Sequence, residues 1–173
     1  IPPAEVYPIA RAAATKALEL DETLAEPHAS LAFVKLMFDW DWAGAERESQ
    51  RALQLNPNYA TAHSVYSRHL SAMGRFDEAL REIARAQQLD PLSPAIRSNF
   101  ATTYYHARRY DEAILKFTAT LDLEPQFSPA RAGLARVYAE KGRLQEAMAV
   151  FQETLKANPA DTGVLAEIGR LYG

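Results

Sequence analysis

The chain has 173 residues, of which 48% are hydrophobic and 24% are charged, a balance typical of folded globular proteins and too apolar for a disordered one. The formal net charge of −3 argues against a nucleic-acid-binding domain, because such domains are usually strongly basic. The lack of cysteine excludes disulfide bonds, thiolate nucleophiles and cysteine-ligated zinc, and no apolar run approaches the roughly 18 residues of a membrane-spanning helix.

The first predicted element is a helix over residues 5–20. Three of its residues recur 35 positions later with the same character: Tyr7, Ala10 and Ala17 correspond to Trp42, Ala45 and Ala52. Pro8 falls in the first turn of this helix, where proline is tolerated. The recurrence indicates that the chain is built from repeated helical units.

From residue 42 onward the same element returns with a period of 34 residues. It opens with a large apolar residue, carries an alanine three positions later, and closes with a small residue and then a proline. The large residues are Trp42, Phe76, Tyr110 and Leu144, and the alanines are Ala45, Ala79, Ala113 and Ala147. The small residues are Ala52, Ala86, Thr120 and Thr154, and the prolines are Pro57, Pro91, Pro125 and Pro159. Proline in this place ends a helix.

A second helical element lies between these blocks, with apolar residues at the three- and four-residue spacing of an amphipathic helix. It carries a pair of one large and one small residue, followed three positions later by another large residue. The pairs are Tyr66-Ser67, Phe100-Ala101 and Leu134-Ala135, followed by Leu70, Tyr104 and Tyr138. The last element repeats this spacing with Leu165, Ile168, Gly169 and Tyr172. The small member of each pair allows close approach of the neighbouring helix.

This combined pattern resembles the tetratricopeptide repeat family over nearly the whole chain. The resemblance implies an all-α fold, a right-handed solenoid of about ten helices stacked in antiparallel pairs, each pair made of a helix A and a helix B. We expect a single array over residues 1–173. Its parts are a helix B without helix A (5–20), four full repeats (25–59, 60–93, 94–127 and 128–161), and a helix A without helix B (162–173).

Two local departures from the pattern are informative. The offset of 35 in the first repeat predicts a one-residue insertion in its turn, around residues 38–42, which leaves Trp40 as an extra aromatic residue. Trp40 is a candidate binding anchor, although a cap over the hydrophobic core is the interpretation we favour. Arg108 takes the turn position that Gly74 and Gly142 occupy in other repeats, so we expect a slightly different turn there.

Candidate catalytic and metal residues are few. His28 and His63 share the repeat position at which the family template has tryptophan, which favours a packing role. No histidine pair has the spacing of a zinc site, and Asp39 and Asp41 begin a segment that lacks the later ligands of a calcium loop. No phosphate-binding glycine loop or nucleophile elbow is present. We therefore expect no enzyme activity, no metal and no cofactor.

The resemblance implies that exposed residues of helices A line a concave, peptide-binding groove. The residues at these positions are Phe33, Met37, Arg68, Asn99, Thr102, Tyr105, His106, Arg136 and Arg170. Three arginines on one register suggest an acidic peptide ligand, with Asn99 binding backbone amides. The alternative is that these arginines are solvated and pair with neighbouring glutamates. The Lys and Asn pattern of the carboxylate-clamp members is absent, so recognition of chaperone tails is not expected.

The sequence thus predicts a protein–protein interaction scaffold with a protein or peptide partner, without nucleic acid or membrane as ligand. One alternative is a regulatory domain of a bacterial transcriptional regulator or signalling enzyme, suggested by the segment 39–46. Another is an assembly module that self-associates, for example as a homodimer, through its open terminal helices. The first residue, Ile1, suggests a piece of a larger protein, and we favour a cytoplasmic over a periplasmic location.

Overall fold

The computed structural model describes residues 3–157 and 162–172, with side chains for residues 5–156 and 164–169. Over these ranges the chain forms ten α-helices and no strand. They are α1 (Pro3–Leu20), α2 (Ala25–Val34), α3 (Trp42–Leu55), α4 (Ala60–Ala72), α5 (Phe76–Leu89), α6 (Pro94–His106), α7 (Tyr110–Leu123), α8 (Ser128–Glu140), α9 (Leu144–Ala157) and α10 (Thr162–Tyr172), with a π-helical segment, Lys35–Asp39, continuing α2. None of the described helices is long and apolar enough to cross a membrane.

The helices group into two compact units, one ending at Pro91 and the other beginning at Leu92. In the first unit each of the helices α1 to α5 packs against the next in the chain, and the helices α6 to α10 do the same in the second unit. The even-numbered helices are helices A and the odd-numbered ones are helices B. The prediction of an all-α helical-repeat fold is therefore confirmed. The predicted repeat boundary at residue 161 lies outside the described residues.

Small residues of helices B allow the close packing within each unit. Ala52 is fully buried together with Ala29 and Ala62, and Ala79 and Ala86 are also without solvent contact. Because alanine adds little beyond the backbone, helices with alanine at their contacts can approach closely. The repeat alanines are thus required by packing.

The core of the second unit is built around two large side chains of helices B. Phe117 is 1% exposed and packs with Ala101, Leu134 and Val137. Phe151 is equally buried and packs with residues of the preceding and following helices A. Burying one such ring contributes about 1.5–3 kcal/mol relative to leaving it in water. These aromatic residues therefore hold successive hairpins together.

The turn between helix A and helix B has one residue in the left-handed backbone region in each repeat. Gly74 and Gly142 have φ values of 74° and 72°, and Arg108 has a φ of 58°. The expectation of a different turn at Arg108 is wrong, because the backbone hydrogen bonds repeat unchanged: Gly74 N donates to Ser71 O, Arg108 N to Tyr105 O, and Gly142 N to Ala139 O. Hairpin packing imposes the turn, and Arg108 adopts it at a cost in strain.

The extra residue of the first repeat lies in helix A and not in the turn. Helix α2 continues into the π-helical segment Lys35–Asp39, and the left-handed residue that follows is Trp40, with a φ of 58°. Trp40 stands 34 residues before Gly74, so the turn itself keeps the common register. The placement of the insertion at residues 38–42 is thus corrected, since a π-helical turn takes up one additional residue without moving the helix end.

Candidate functional site

A cation surrounded by apolar side chains lies on the helix A face of the first unit. The guanidinium carbon of Arg68, on α4, lies 5.3 Å from the ring centroid of Phe33 on α2. Arg68 Nη2 lies 3.9 Å from Met37 Sδ in the π-helical segment. The ring of Tyr7, on α1, lies 6.1 Å from that of Phe33 and 5.4 Å from that of Phe38. We call these five residues the Arg68 cluster.

The charge of Arg68 is not neutralised by any carboxylate among the described side chains, since its contacts are the Phe33 ring and the Met37 sulfur. Desolvation lowers the pKa of the Arg68 guanidinium below its ordinary value, with Tyr7 acting in the opposite direction. By solvent accessibility Arg68 is nevertheless an exposed residue. The cluster therefore presents an accessible positive charge in apolar surroundings, which strengthen electrostatic interactions with a partner.

The two other groove arginines differ from Arg68. Arg136 Nη2, on α8, lies 2.7 Å from Glu167 Oε1 on α10, so Arg136 matches the alternative of pairing with a neighbouring glutamate. This ion pair lines a cavity of about 290 Å³ together with Ser128 and Val164. The side chain of Arg170 lies outside the described residues. The common register of the three arginines stays a prediction.

The remaining groove candidates of the second unit are engaged in part by their own helix. Asn99 is 7% exposed, and Thr102 Oγ1 donates a hydrogen bond of 2.9 Å to the carbonyl oxygen of Ser98. Tyr105 and His106 lie together, with ring centroids 5.3 Å apart. A role of Asn99, Thr102, Tyr105 and His106 in ligand binding stays a prediction.

Two histidines at equivalent positions each hydrogen-bond a glutamate of the following helix B. His28 Nδ1 lies 2.7 Å from Glu48 Oε2, and His63 Nδ1 lies 2.6 Å from Glu82 Oε2. The side chains of His28 and His63 are 14% and 12% exposed, which fits a packing role. The sequence analysis does not identify these glutamate partners. The signal for them is their spacing, since Glu48 and Glu82 are 34 residues apart.

A third histidine is buried without a hydrogen bond. His69 on α4 is 1% exposed, and neither ring nitrogen has a hydrogen-bond partner among the described residues. Its Nε2 lies 3.9 Å from Glu46 Oε2. Desolvation lowers the pKa of His69, with the Glu46 charge opposing this shift. Burial therefore favours the neutral form of His69, whose ring stacks on that of Tyr66.

The extra aromatic residue of the first repeat is a surface feature. Trp40 is 69% exposed, and its ring packs edge-on against Trp42 with 5.5 Å between centroids. The interpretation of Trp40 as a cap over the core is therefore wrong, since most of its side chain stays in solvent. Its role as a binding anchor stays a prediction.

The described residues contain no group of three or more histidine, aspartate and glutamate side chains that could hold a metal ion. The carboxylates near the histidines instead form the pairwise contacts given above. The Arg68 cluster itself presents a cation, a thioether and aromatic rings.

Comparison with known proteins gives a consistent result. A family model described as tetratricopeptide repeat matches residues 41–98, 72–115 and 104–168. No curated protein matches the sequence. Among solved structures, TTC0263, a thermophilic TPR protein of Thermus thermophilus, is 21% identical with a TM-score of 0.86, over 96% of this chain and 90% of that chain.

Two further solved structures are similar. YrrB, described as a TPR protein with an unusual peptide-binding site, is 20% identical with a TM-score of 0.67, over 96% of this chain and 85% of that chain. PilW, described as a widely conserved type IV pilus biogenesis factor, is 22% identical with a TM-score of 0.76, over 88% of this chain and 70% of that chain. At these identities the likeness shows the fold.

Proposed function

The chain belongs to the tetratricopeptide repeat family, and from this membership we propose that it is a non-catalytic scaffold for protein–protein interaction. In this proposal a peptide or protein segment lies against the helices A of the first unit. A fold alone does not fix a function, so the proposal depends on a specific surface of this chain.

The observation that carries the proposal is the Arg68 cluster. Met37 and Phe38 are 39% and 38% exposed. Met37 contacts the guanidinium of Arg68, which forms no ion pair with the described side chains. Apolar and aromatic side chains next to an arginine are the residue types that contribute most to binding at protein interfaces. These side chains of the first unit therefore have the chemistry of a recognition surface.

The similar proteins support the same type of function. YrrB is described by a peptide-binding site, and PilW by a role in pilus biogenesis. Both descriptions apply to those proteins. For this chain they favour a partner that is itself a polypeptide.

The proposal is tested with two variants that carry a photo-cross-linking amino acid in the first unit, one on a helix A and the other on a helix B. Thr61 on α4 and Gln54 on α3 are both exposed, so either can be replaced without disturbing the core. In lysate of the source cells, we expect the Thr61 variant to cross-link a protein partner and the Gln54 variant to cross-link none. Equal products from both positions, or none from position 61, would contradict binding on the helix A face.

A further inference from the structure

Arg68 is partly desolvated and has no acidic partner among the described residues. Neighbouring cations of the first unit do not share these two properties. Arg11 pairs with Asp39, and Arg75 lies 2.7 Å from Glu46 Oε1. Lys35 lies 3.5 Å from both Asp41 and Glu48. Arg68 has no such partner in the described part of the chain, yet nearby side chains partly remove its hydration. A carboxylate supplied from outside would meet a positive charge that no internal acid competes for.

The repeat carries different residues at the position that supplies the acid to Arg136. In the second unit, the partner of Arg136 is Glu167, which follows it by 31 positions. The residue 31 positions after Arg68 is Asn99, which carries no charge. The repeat thus provides a neutralising glutamate at one position and an uncharged residue at the other.

The surroundings of Arg68 are apolar. The Phe33 ring packs against the guanidinium, and Met37 presents its sulfur and an exposed surface next to it. Phe38 extends this apolar surface towards α1, where it contacts Tyr7. An arginine held over an aromatic ring keeps its edge available for hydrogen bonds to a carboxylate.

We propose, resting on the function proposed above, that the Arg68 cluster binds a peptide segment in which an aspartate or glutamate adjoins an apolar residue. The side-chain carboxylate pairs with the guanidinium of Arg68. The apolar side chain packs on Met37, Phe33 and Phe38. The acid determines where the segment binds, and the apolar neighbour adds buried area.

A side-chain carboxylate fits this surface better than a chain terminus. A terminal carboxylate is attached to the backbone, whose last amide groups would be brought against rings and a thioether that offer them no hydrogen bond. Burying polar groups without partners is unfavourable. An aspartate or glutamate reaches Arg68 on its own stem, so its backbone can remain hydrated.

The experiment is a selection from a displayed library of random 12-residue peptides on the purified chain. We expect enriched peptides to carry an acidic residue next to Leu, Met or Phe. Synthetic versions should lose affinity by about tenfold or more with Arg68→Ala. Arg68→Lys, which keeps the charge without the fork, should lose less, and binding should weaken as salt increases. Arg51→Ala changes an exposed arginine of α3 and serves as the matched control, with unchanged affinity expected.

The outcomes separate this inference from the proposed function. Peptides that cross-link to position 61 but lack the acidic–apolar pair, or that bind Arg68→Ala as tightly as the original chain, overturn the inference and leave the scaffold function standing. Absence of any enriched peptide that cross-links to position 61 counts against both. Arg68→Glu provides a second test, because a selection on this variant should enrich Lys or Arg in place of the acid. Circular dichroism and thermal unfolding establish that each variant is folded.

Discussion

The imidazole of His63 on α4 is joined to the carboxylate of Glu82 on α5 by a hydrogen bond of 2.6 Å between Nδ1 and Oε2. Its other ring nitrogen, Nε2, lies 2.9 Å from the carbonyl oxygen of Pro57. Both nitrogens face acceptors, and only the protonated imidazolium can donate to both. His63 thereby links the two helices of one hairpin through a charge that depends on pH.

Replacement of His63 by glutamine is expected to reduce stability more at pH 5.5 than at pH 8.5. Desolvation opposes protonation, but the hydrogen bonds to Glu82 and Pro57 and the Glu82 charge outweigh it, so the pKa of folded His63 is raised. A raised pKa contributes stability that is fully present below the unfolded value of about 6.5 and is lost as pH rises through the folded value. Urea midpoints of the original chain and of His63→Gln at both pH values measure this difference.

The appropriate control is Glu82→Gln, which removes the carboxylate while leaving His63 in place. It should abolish most of the same pH dependence, because the hydrogen bond and the charge of Glu82 raise the pKa of His63. The comparison must be made against the original chain, since the lowered pKa of His69 makes stability fall as pH decreases below about 6.5. An equal loss in His63→Gln at both pH values would show that folding does not raise the pKa of His63.

The turn residue Arg108 offers a stabilising substitution. Its φ of 58° lies in the left-handed region, which costs a residue with a Cβ about 1–2 kcal/mol. Glycine relieves this strain but loses about 0.5–1 kcal/mol of chain entropy on folding. Arg108→Gly should therefore stabilise the chain by about 0.5–1 kcal/mol, and raise its thermal midpoint.

Gly142→Ala tests the same turn in the opposite direction. Gly142 has a φ of 72°, and a Cβ at this position meets no atom within 4 Å, so any loss of stability reports backbone strain alone. We expect destabilisation by about 1 kcal/mol. A lower thermal midpoint for Arg108→Gly than for the original chain would refute the strain argument.

Sequence periodicity predicts the helices, because apolar spacing and the 34-residue period reflect packing that every repeat must satisfy. The left-handed conformation of Trp40 and Arg108 could not be predicted in the same way. Local preferences disfavour it for both residues, and it arises because hairpin packing determines the turn. The π-helical turn before Trp40 has the same origin, since the sequence shows one added residue but not where the helix takes it up.

The sequence predicts the positions of the candidate site residues better than it predicts which arginines are neutralised. Periodicity places Phe33, Met37 and Arg68 on helices A, and the structure brings these three together. Periodicity does not distinguish Arg68 from Arg136, because whether an arginine is neutralised depends on a single acid on another helix. For Arg136 that acid is Glu167, and identifying it requires the helix packing.

Packing in the second unit is tested by alanine at Gly133 on α8. A Cβ there would lie 2.2 Å from Cζ of Phe117, and Phe117 is 1% exposed, so the ring has little freedom to move away. We expect Gly133→Ala to destabilise the chain by about 2 kcal/mol or more, as overpacking does in other cores. Gly169→Ala on α10 is the matched control, because a Cβ there meets nothing within 4 Å and alanine favours a helix. Denaturant titration should separate the two variants, and equal stabilities would contradict close packing of Phe117 on Gly133.

Substitution of Trp40 tests its role in binding while the stability of the chain changes little. Its φ of 58° is strained for a bulky residue, so Trp40→Gly relieves strain while it loses the edge contact with Trp42, worth about 0.5–1.5 kcal/mol. The relief of strain is opposed by the lost contact and by the entropic cost of glycine, and we expect the free energy of unfolding to stay within about 1 kcal/mol of the original. If Trp40 is a binding anchor, the same variant should weaken a partner or selected peptide by about tenfold or more. Leu115→Ala is the control, since Leu115 is 68% exposed and should affect neither quantity. Calorimetric titration of the folded variants measures this affinity. Unchanged affinity in Trp40→Gly would mean that the Arg68 cluster forms the binding surface without Trp40.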